Sequence, residues 1–186
     1  MLFSPDFSDS LNSAAVKIQR ENLKRFELEN FSRYDIFQLI ENRSDFYDAL
    51  LKRLWCEMDL SAQSTLTLIA VGGYGRREMF PLSDLDFLIL TEIPPMPETE
   101  EKIGRFVQFL WDCGFEVGHS VRTLAQCKAE GKRDITIATN LLEARFLTGN
   151  QACFKALQES VNGADFWSKE EFFNAKVQER IERYQR

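Results

Sequence analysis

Apolar residues recur along this chain with two different periods, and the change of period divides it. Leu11, Ala14, Ala15, Ile18, Leu23, Phe26 and Leu28 alternate with charged residues at helical spacing, which predicts an amphipathic helix over residues 10–31. Ile36, Leu39, Ile40, Phe46, Leu50, Leu51, Leu54 and Trp55 predict a second helix over about 34–59. Asn42 to Asp45 is a candidate break in it, with Ser44 capping a new helix. The pattern then changes to short, continuous apolar runs. Leu66 to Val71 and Leu82 to Thr91 read as strands, the first feeding a turn at Gly72 and Gly73. The proline-rich stretch Ile93 to Pro97 stops the second strand. Helical spacing returns over Glu98 to Cys113 through Ile103, Phe106, Val107, Leu110 and Trp111, and Gly114 ends it. Phe115 to Thr123 reads as a third strand. Asp134 caps a helix from Ile135 to Leu147, another covers about 151–161, and Trp167 to Arg186 is helical and increasingly charged.

These elements group into an N-terminal helical extension (1–60), an α/β core (61–165) and a C-terminal helix (166–186). That last helix stops without a capping glycine or proline, as expected either of a chain truncated before further domains or of an exposed terminal helix.

Composition narrows the function classes. With 186 residues, 44% hydrophobic and 28% charged, the chain can build one domain with a proper core. A net charge of -6 argues against a general nucleic-acid binder but leaves room for a local basic pocket around a nucleoside triphosphate. Cys56, Cys113, Cys127 and Cys153 are dispersed and His119 is the sole histidine, so neither a zinc site nor a disulfide framework is expected. The first residues lack a basic stretch followed by an apolar one, and no apolar run reaches membrane-spanning length. The expectation is a cytoplasmic protein without a membrane partner.

The chemistry concentrates in residues 71–90. Asp84 and Asp86 lie two apart in an apolar strand, so both carboxylates face one side, about 7 Å apart along the backbone. Burying such charges is unfavourable unless something compensates them, and at this spacing a divalent cation, magnesium, is the natural counter-ion. Leu85, Phe87 and Ile89 face the core and fix the register. Gly72 and Gly73 allow close backbone approach to a phosphate, and Arg76 and Arg77 could neutralise its charge. Ser83 could donate its hydroxyl to a phosphate or to its own turn. Together these features point to metal-dependent phosphoryl or nucleotidyl transfer.

Gly72-Gly73, ten further residues and then Asp84-Leu85-Asp86 resemble the signature of the DNA polymerase β-type nucleotidyltransferase superfamily. The fuller string G-G-Y-G-R-x-E-x-x-P-x-S-D-L-D, with E-V-G-H-S-V-R-T over 116–123, is similar to the N-terminal domain of the bifunctional uridylyltransferase/uridylyl-removing enzymes that modify the PII nitrogen-regulatory protein. The resemblance covers about residues 10–186. It implies an α/β (α+β) nucleotidyltransferase fold, a small mixed sheet with packed helices and an N-terminal helical extension. It also implies magnesium-dependent transfer of UMP from UTP to a PII tyrosine, with release of pyrophosphate. Asp84 and Asp86 would be the metal carboxylates; Gly72, Gly73 and Ser83 would contact the nucleotide phosphates. The family's hydrolytic and ligand-sensing domains have no counterpart in these residues.

The superfamily's third carboxylate is harder to place. Alternation puts Glu116, Gly118, Ser120 and Arg122 on one face of the third strand, with the natural position near Gly118. Glu116 is the acid available there, either as a third metal ligand or as a solvated strand-end residue. Arg122 is a candidate phosphate contact, or the partner of Glu116 or Asp86. His119 falls on the core face, a structural residue before a general base. Glu143 and Arg145 read as parts of a helix face. Two further readings stay open: a nucleotidyltransferase for another acceptor, and a catalytically inactive nucleotide-binding module.

Overall fold

The computed structural model describes residues 2–7, 11–163 and 165–185. The expected boundaries at residues 1, 10 and 186 lie outside them. Helix α1 (Ser13–Asn30) starts where the Asn12 side chain accepts the Ala15 N–H, and α2 (Ile36–Glu57) starts at a reciprocal cap between Asp35 and Gln38. The expected break at Asn42 to Asp45 is absent, and α2 runs straight through. The polar residues that suggested it instead face inward. Asn42 Oδ1 accepts the backbone N–H groups of Leu2 and Phe3 at 2.7 and 2.8 Å, Arg43 pairs with Glu27 of α1, and Ser44 donates to the Ile40 carbonyl. Tertiary partners, not local propensity, decide the conformation here.

The remaining elements are β1 (Leu66–Ala70), the short helix α3 (Gly72–Gly75), β2 (Leu85–Thr91), α4 (Pro97–Asp112), β3 (Val117–Thr123), α5 (Leu124–Gly131), α6 (Ile135–Leu142), β4 (Arg145–Gly149), α7 (Gln151–Asn162) and α8 (Lys169–Tyr184). Two segments differ from the expectation. The helix after Asp134 ends at Leu142, and Arg145–Gly149 extends as β4 against β1. A strand edge left open by β1 supplies hydrogen bonds that five residues cannot find locally. Leu124–Gly131, assigned no structure from sequence, is a helix started by a Thr123/Gln126 capping box.

The sheet is mixed, in the order β3-β2-β1-β4, with β2 parallel to β3 and β1 antiparallel to β2 and β4. Alternation along the strands makes two cores. Leu66, Leu68, Phe87 and Ile89 pack with Phe46, Leu50, Leu54 and Trp55 of α2 and Phe106 of α4, so the N-terminal helices share the sheet's own core. Ile69, Leu88 and Leu90 pack with Cys127, Leu141, Phe154 and Leu157 of α5 to α7. Asp86, between Leu85 and Phe87, falls on this second face, at the end of the sheet where β1 turns into α3. Among the described residues no helix is long and apolar enough to cross a membrane.

Candidate active site

The glycine turn and the carboxylates meet because the chain reverses there. Val71 donates its N–H to the Asp86 carbonyl at 3.2 Å, and Leu85 donates to the Glu116 carbonyl at 2.8 Å as β2 enters its parallel pairing with β3. Gly72 takes φ +57°, a conformation that glycine adopts without the steric penalty of a side chain. The first bond closing α3 runs from Gly75 to Val71, so the N–H groups of Gly72, Gly73 and Tyr74 precede any intrahelical acceptor.

Asp86 is flanked by two glycines. A β-carbon on Gly72 would stand 3.6 Å from Asp86 Oδ2, and one on Gly118, its register partner on β3, would stand 2.0 Å from Oδ1. The position to which alternation assigns a third acid is therefore filled by the Asp86 carboxylate itself. Burial, and then the charge of Asp84, push the Asp86 carboxyl above its ordinary range. Asp84 is exposed. Among the described residues neither carboxylate has a hydrogen-bond or ion-pair partner, and no three acidic, histidine or cysteine side chains converge on one point. Glu116 is exposed just before β3 and is not drawn into such a cluster with the two aspartates.

The arginine candidates are tied up by protein partners. Arg76 pairs with Glu78 at 2.7 Å and with Glu143. Arg77, at φ +64°, pairs with Asp45 and lies 3.7 Å from Asp48. Arg122 binds Glu130 at 2.7 Å and Ser120 Oγ at 3.2 Å, not Glu116 or Asp86. Ser83 Oγ accepts the Phe80 N–H at 3.1 Å within its own turn, and β2 begins only after it. His119 lies opposite Phe87, with Trp111 of α4 6.1 Å from its ring, on the sheet face away from Asp86.

A family model described as "Putative nucleotidyltransferase DUF294" matches residues 29–126, more than half of the chain, including the glycine turn, both aspartates and Gly118. The chain belongs to this nucleotidyltransferase family. Over its whole length it is 75% identical to a bifunctional uridylyltransferase/uridylyl-removing enzyme of Haemophilus influenzae (strain 86-028NP), of which it covers 22%. It is 59% identical, again over its whole length and 22% of the relative, to the enzyme so described from Pasteurella multocida (strain Pm70). Over 91% of the chain it is 44% identical to that of Photobacterium profundum, covering 20% of it. The chain thus spans about a fifth of the length of the curated relatives it matches.

Two features of this candidate site escaped the sequence reading. Behind the turn, Arg145 donates to both oxygens of Asp48 at 2.6 and 3.0 Å, and to the carbonyls of Tyr74 and Gly75 at 3.2 Å each. The buried Tyr74 hydroxyl completes this clamp by donating to Asp48 Oδ1 at 2.7 Å; burial and the Asp48 charge hold that phenol well above its ordinary pKa. Arg145 is not on a helix, as its sequence context suggests, but is the first residue of β4, which is what aims it at α2. In front of the turn, Asn140 of α6 comes within reach of Gly72. No local motif marks either residue, since both act across more than sixty positions of sequence.

Proposed function

We propose that this chain catalyses transfer of UMP from UTP to a tyrosine of the PII signalling protein. The observation that carries the reading is the unpartnered Asp84/Asp86 pair at a glycine turn, in a chain 75% identical to a uridylyltransferase/uridylyl-removing enzyme. Two like charges, one of them partly desolvated, and no third acid converging on them among the described residues form a donor set that suits magnesium, which keeps open positions for water and substrate phosphates. Asp84 and Asp86 would hold it, and when bound it supplies positive charge to the triphosphate and the attacking oxygen. The amide N–H groups of Gly72 and Gly73 would donate to phosphate oxygens, because no acceptor among the described residues uses them. The tyrosine oxygen attacks the α-phosphorus, the bond to the bridging oxygen of the β-phosphate breaks, pyrophosphate leaves, and the phenolic proton passes to solvent. Arg76 and Arg122 contribute to phosphate binding only if their present partners exchange, whereas Ser83, whose oxygen accepts the Phe80 N–H, can still donate its hydroxyl proton.

Incubating the chain with labelled UTP, ATP, GTP or CTP, magnesium and PII tests this directly. Label from UTP alone should appear on a PII tyrosine, and Asp84→Asn or Asp86→Asn should reduce transfer at least about 1,000-fold, the scale of removing a principal source of transition-state charge stabilisation. Transfer from ATP, or onto no protein, would replace the reading with another donor or acceptor.

A further inference from the structure

The clearest unused group near the carboxylates is the carboxamide of Asn140. A β-carbon on Gly72 would lie 3.2 Å from Asn140 Oδ1 and 3.6 Å from Asp86 Oδ2, so α6 and β2 bring these two side chains to the same point above the glycine turn. Asn140 is half-buried, and among the described residues its side chain has no hydrogen-bond partner. An asparagine within a helix ordinarily bonds to nearby backbone or reaches solvent. This one does neither fully.

The helix holding it is fixed independently. Asp134 caps α6 by accepting the N–H groups of Thr136 and Ile137 at 2.7 and 3.3 Å, and Thr139 Oγ1 donates to the Ile135 carbonyl at 2.7 Å. Ala138 and Leu141, on either side of Asn140, are buried in the second core. The carboxamide is thus presented by a rigid element, while the space beside it is kept free by the missing side chain at Gly72.

We propose that Asn140 is a nucleotide-binding residue, donating an amide N–H to a non-bridging oxygen of the triphosphate; this rests on the transferase reading above. The residue type fits the place. A triphosphate offers only acceptors, so the site needs donors beyond the two turn amides. A lysine or arginine beside Asp86 would pair with it and cancel the negative charge that suits a divalent cation. A neutral carboxamide donates without that competition. Rotation of the amide by half a turn places Nδ2 where Oδ1 now stands, so the donor is available without any backbone movement.

Equilibrium binding of magnesium-UTP to the 186-residue chain, alongside Mn2+ binding in the absence of nucleotide, tests the assignment. Asn140→Ala should weaken nucleotide binding roughly ten-fold, the scale of one hydrogen bond to a charged acceptor, while leaving Mn2+ binding and the melting temperature of the free chain unchanged. Asn140→Asp should weaken nucleotide binding further and strengthen Mn2+ binding, since it sets a third carboxylate beside Asp86. A role confined to folding would lower the melting temperature of both variants and leave nucleotide affinity alone, which overturns the proposal. Equal affinity of wild type and Asn140→Ala overturns it too. A wild-type chain that binds no nucleotide removes the transferase reading along with it.

Discussion

The two sides of the glycine turn treat charge in opposite ways. Behind it, the carboxylate of Asp48 receives both nitrogens of Arg145 and the hydroxyl of Tyr74, with Arg77 nearby, so each of its oxygens is satisfied by protein. In front of it, Asp84, Asp86 and Asn140 have no protein partner among the described residues. Both sides hold acidic groups that are wholly or partly out of water. A buried charge with its counter-charge built in is a structural joint, whereas a half-buried carboxylate without one, beside a second like charge, is tolerated where an outside group completes it. The turn is therefore anchored on one side so that the other can be left open. The clamp joins α2, α3 and β4 through side chains of three distant segments, and the Val71 N–H, bonded to the Asp86 carbonyl, ties β2 to the same turn.

Breaking the anchored side should have the largest effect on the fold. Arg145→Met leaves the Asp48 carboxylate, 11% exposed, without its bidentate partner. The expected loss is about 3 kcal/mol, the lower end for breaking a buried ion pair by removing one member. For a chain of this length that lowers the melting temperature by about 6–12 °C. Adding Asp48→Asn should recover part of the loss, because the orphaned charge goes with it, and thermal melts of the single and double variants read this coupling directly. If Arg145→Met melts with the wild type, the clamp is not an anchor and the comparison fails.

That anchor is invisible in the sequence for a physical reason. The strongly periodic stretches, which form α1, α2, α4 and β1 to β3, declare themselves because burial repeats within each. Asp84 and Asp86 declare themselves because two carboxylates in an apolar strand need explaining. Arg145 does neither. Its strand, β4, has five residues and takes its structure from the free edge of β1, so helical continuation from Ile135 reads equally well. Asn140 sits at an ordinary position of an eight-residue helix and acquires meaning only from Gly72, 68 positions earlier. The capping box at Thr123 and Gln126 is legible and would have revealed α5. The resemblance and alternation together put the expected third acid near Gly118, and the register with Asp86 explains why no side chain stands there.

Gly118 offers the sharper test of the open side. An alanine β-carbon there would fall 2.0 Å from Asp86 Oδ1, so the carboxylate must swing away while the backbone stays put. Strand β3 is an edge and alanine fits its extended backbone, so the melting temperature should hardly move. Transfer should fall about 100-fold, the scale expected when a reacting group is displaced by about an ångström. Full activity in Gly118→Ala would mean that the orientation of Asp86 in this structure is not the one the reaction uses. An equal loss of stability and activity would place Gly118 with the anchor and not with the open face.

His119 should give the smallest effect, and the comparison is sharpened by its lying on neither side of the turn. Its ring stands between Phe87 and Trp111 on the face covered by α4, with the sheet between it and Asp86. With the sheet between them, that ring cannot take a proton directly at Asp86, so His119→Gln should keep transfer within about two-fold of wild type, far short of the roughly 100-fold or more that loss of a general base produces. Burial lowers the His119 pKa from its ordinary 6.5, which means that the folded protein resists protonation more than the unfolded chain does. The unfolded chain then binds the extra proton first as the pH drops below 6.5, and the wild type loses a small increment of stability down to the folded-state value. His119→Gln should lack that increment while matching the wild-type pH profile for transfer. A glutamine variant with the acid or alkaline limb of that profile shifted would put the histidine in the chemistry after all.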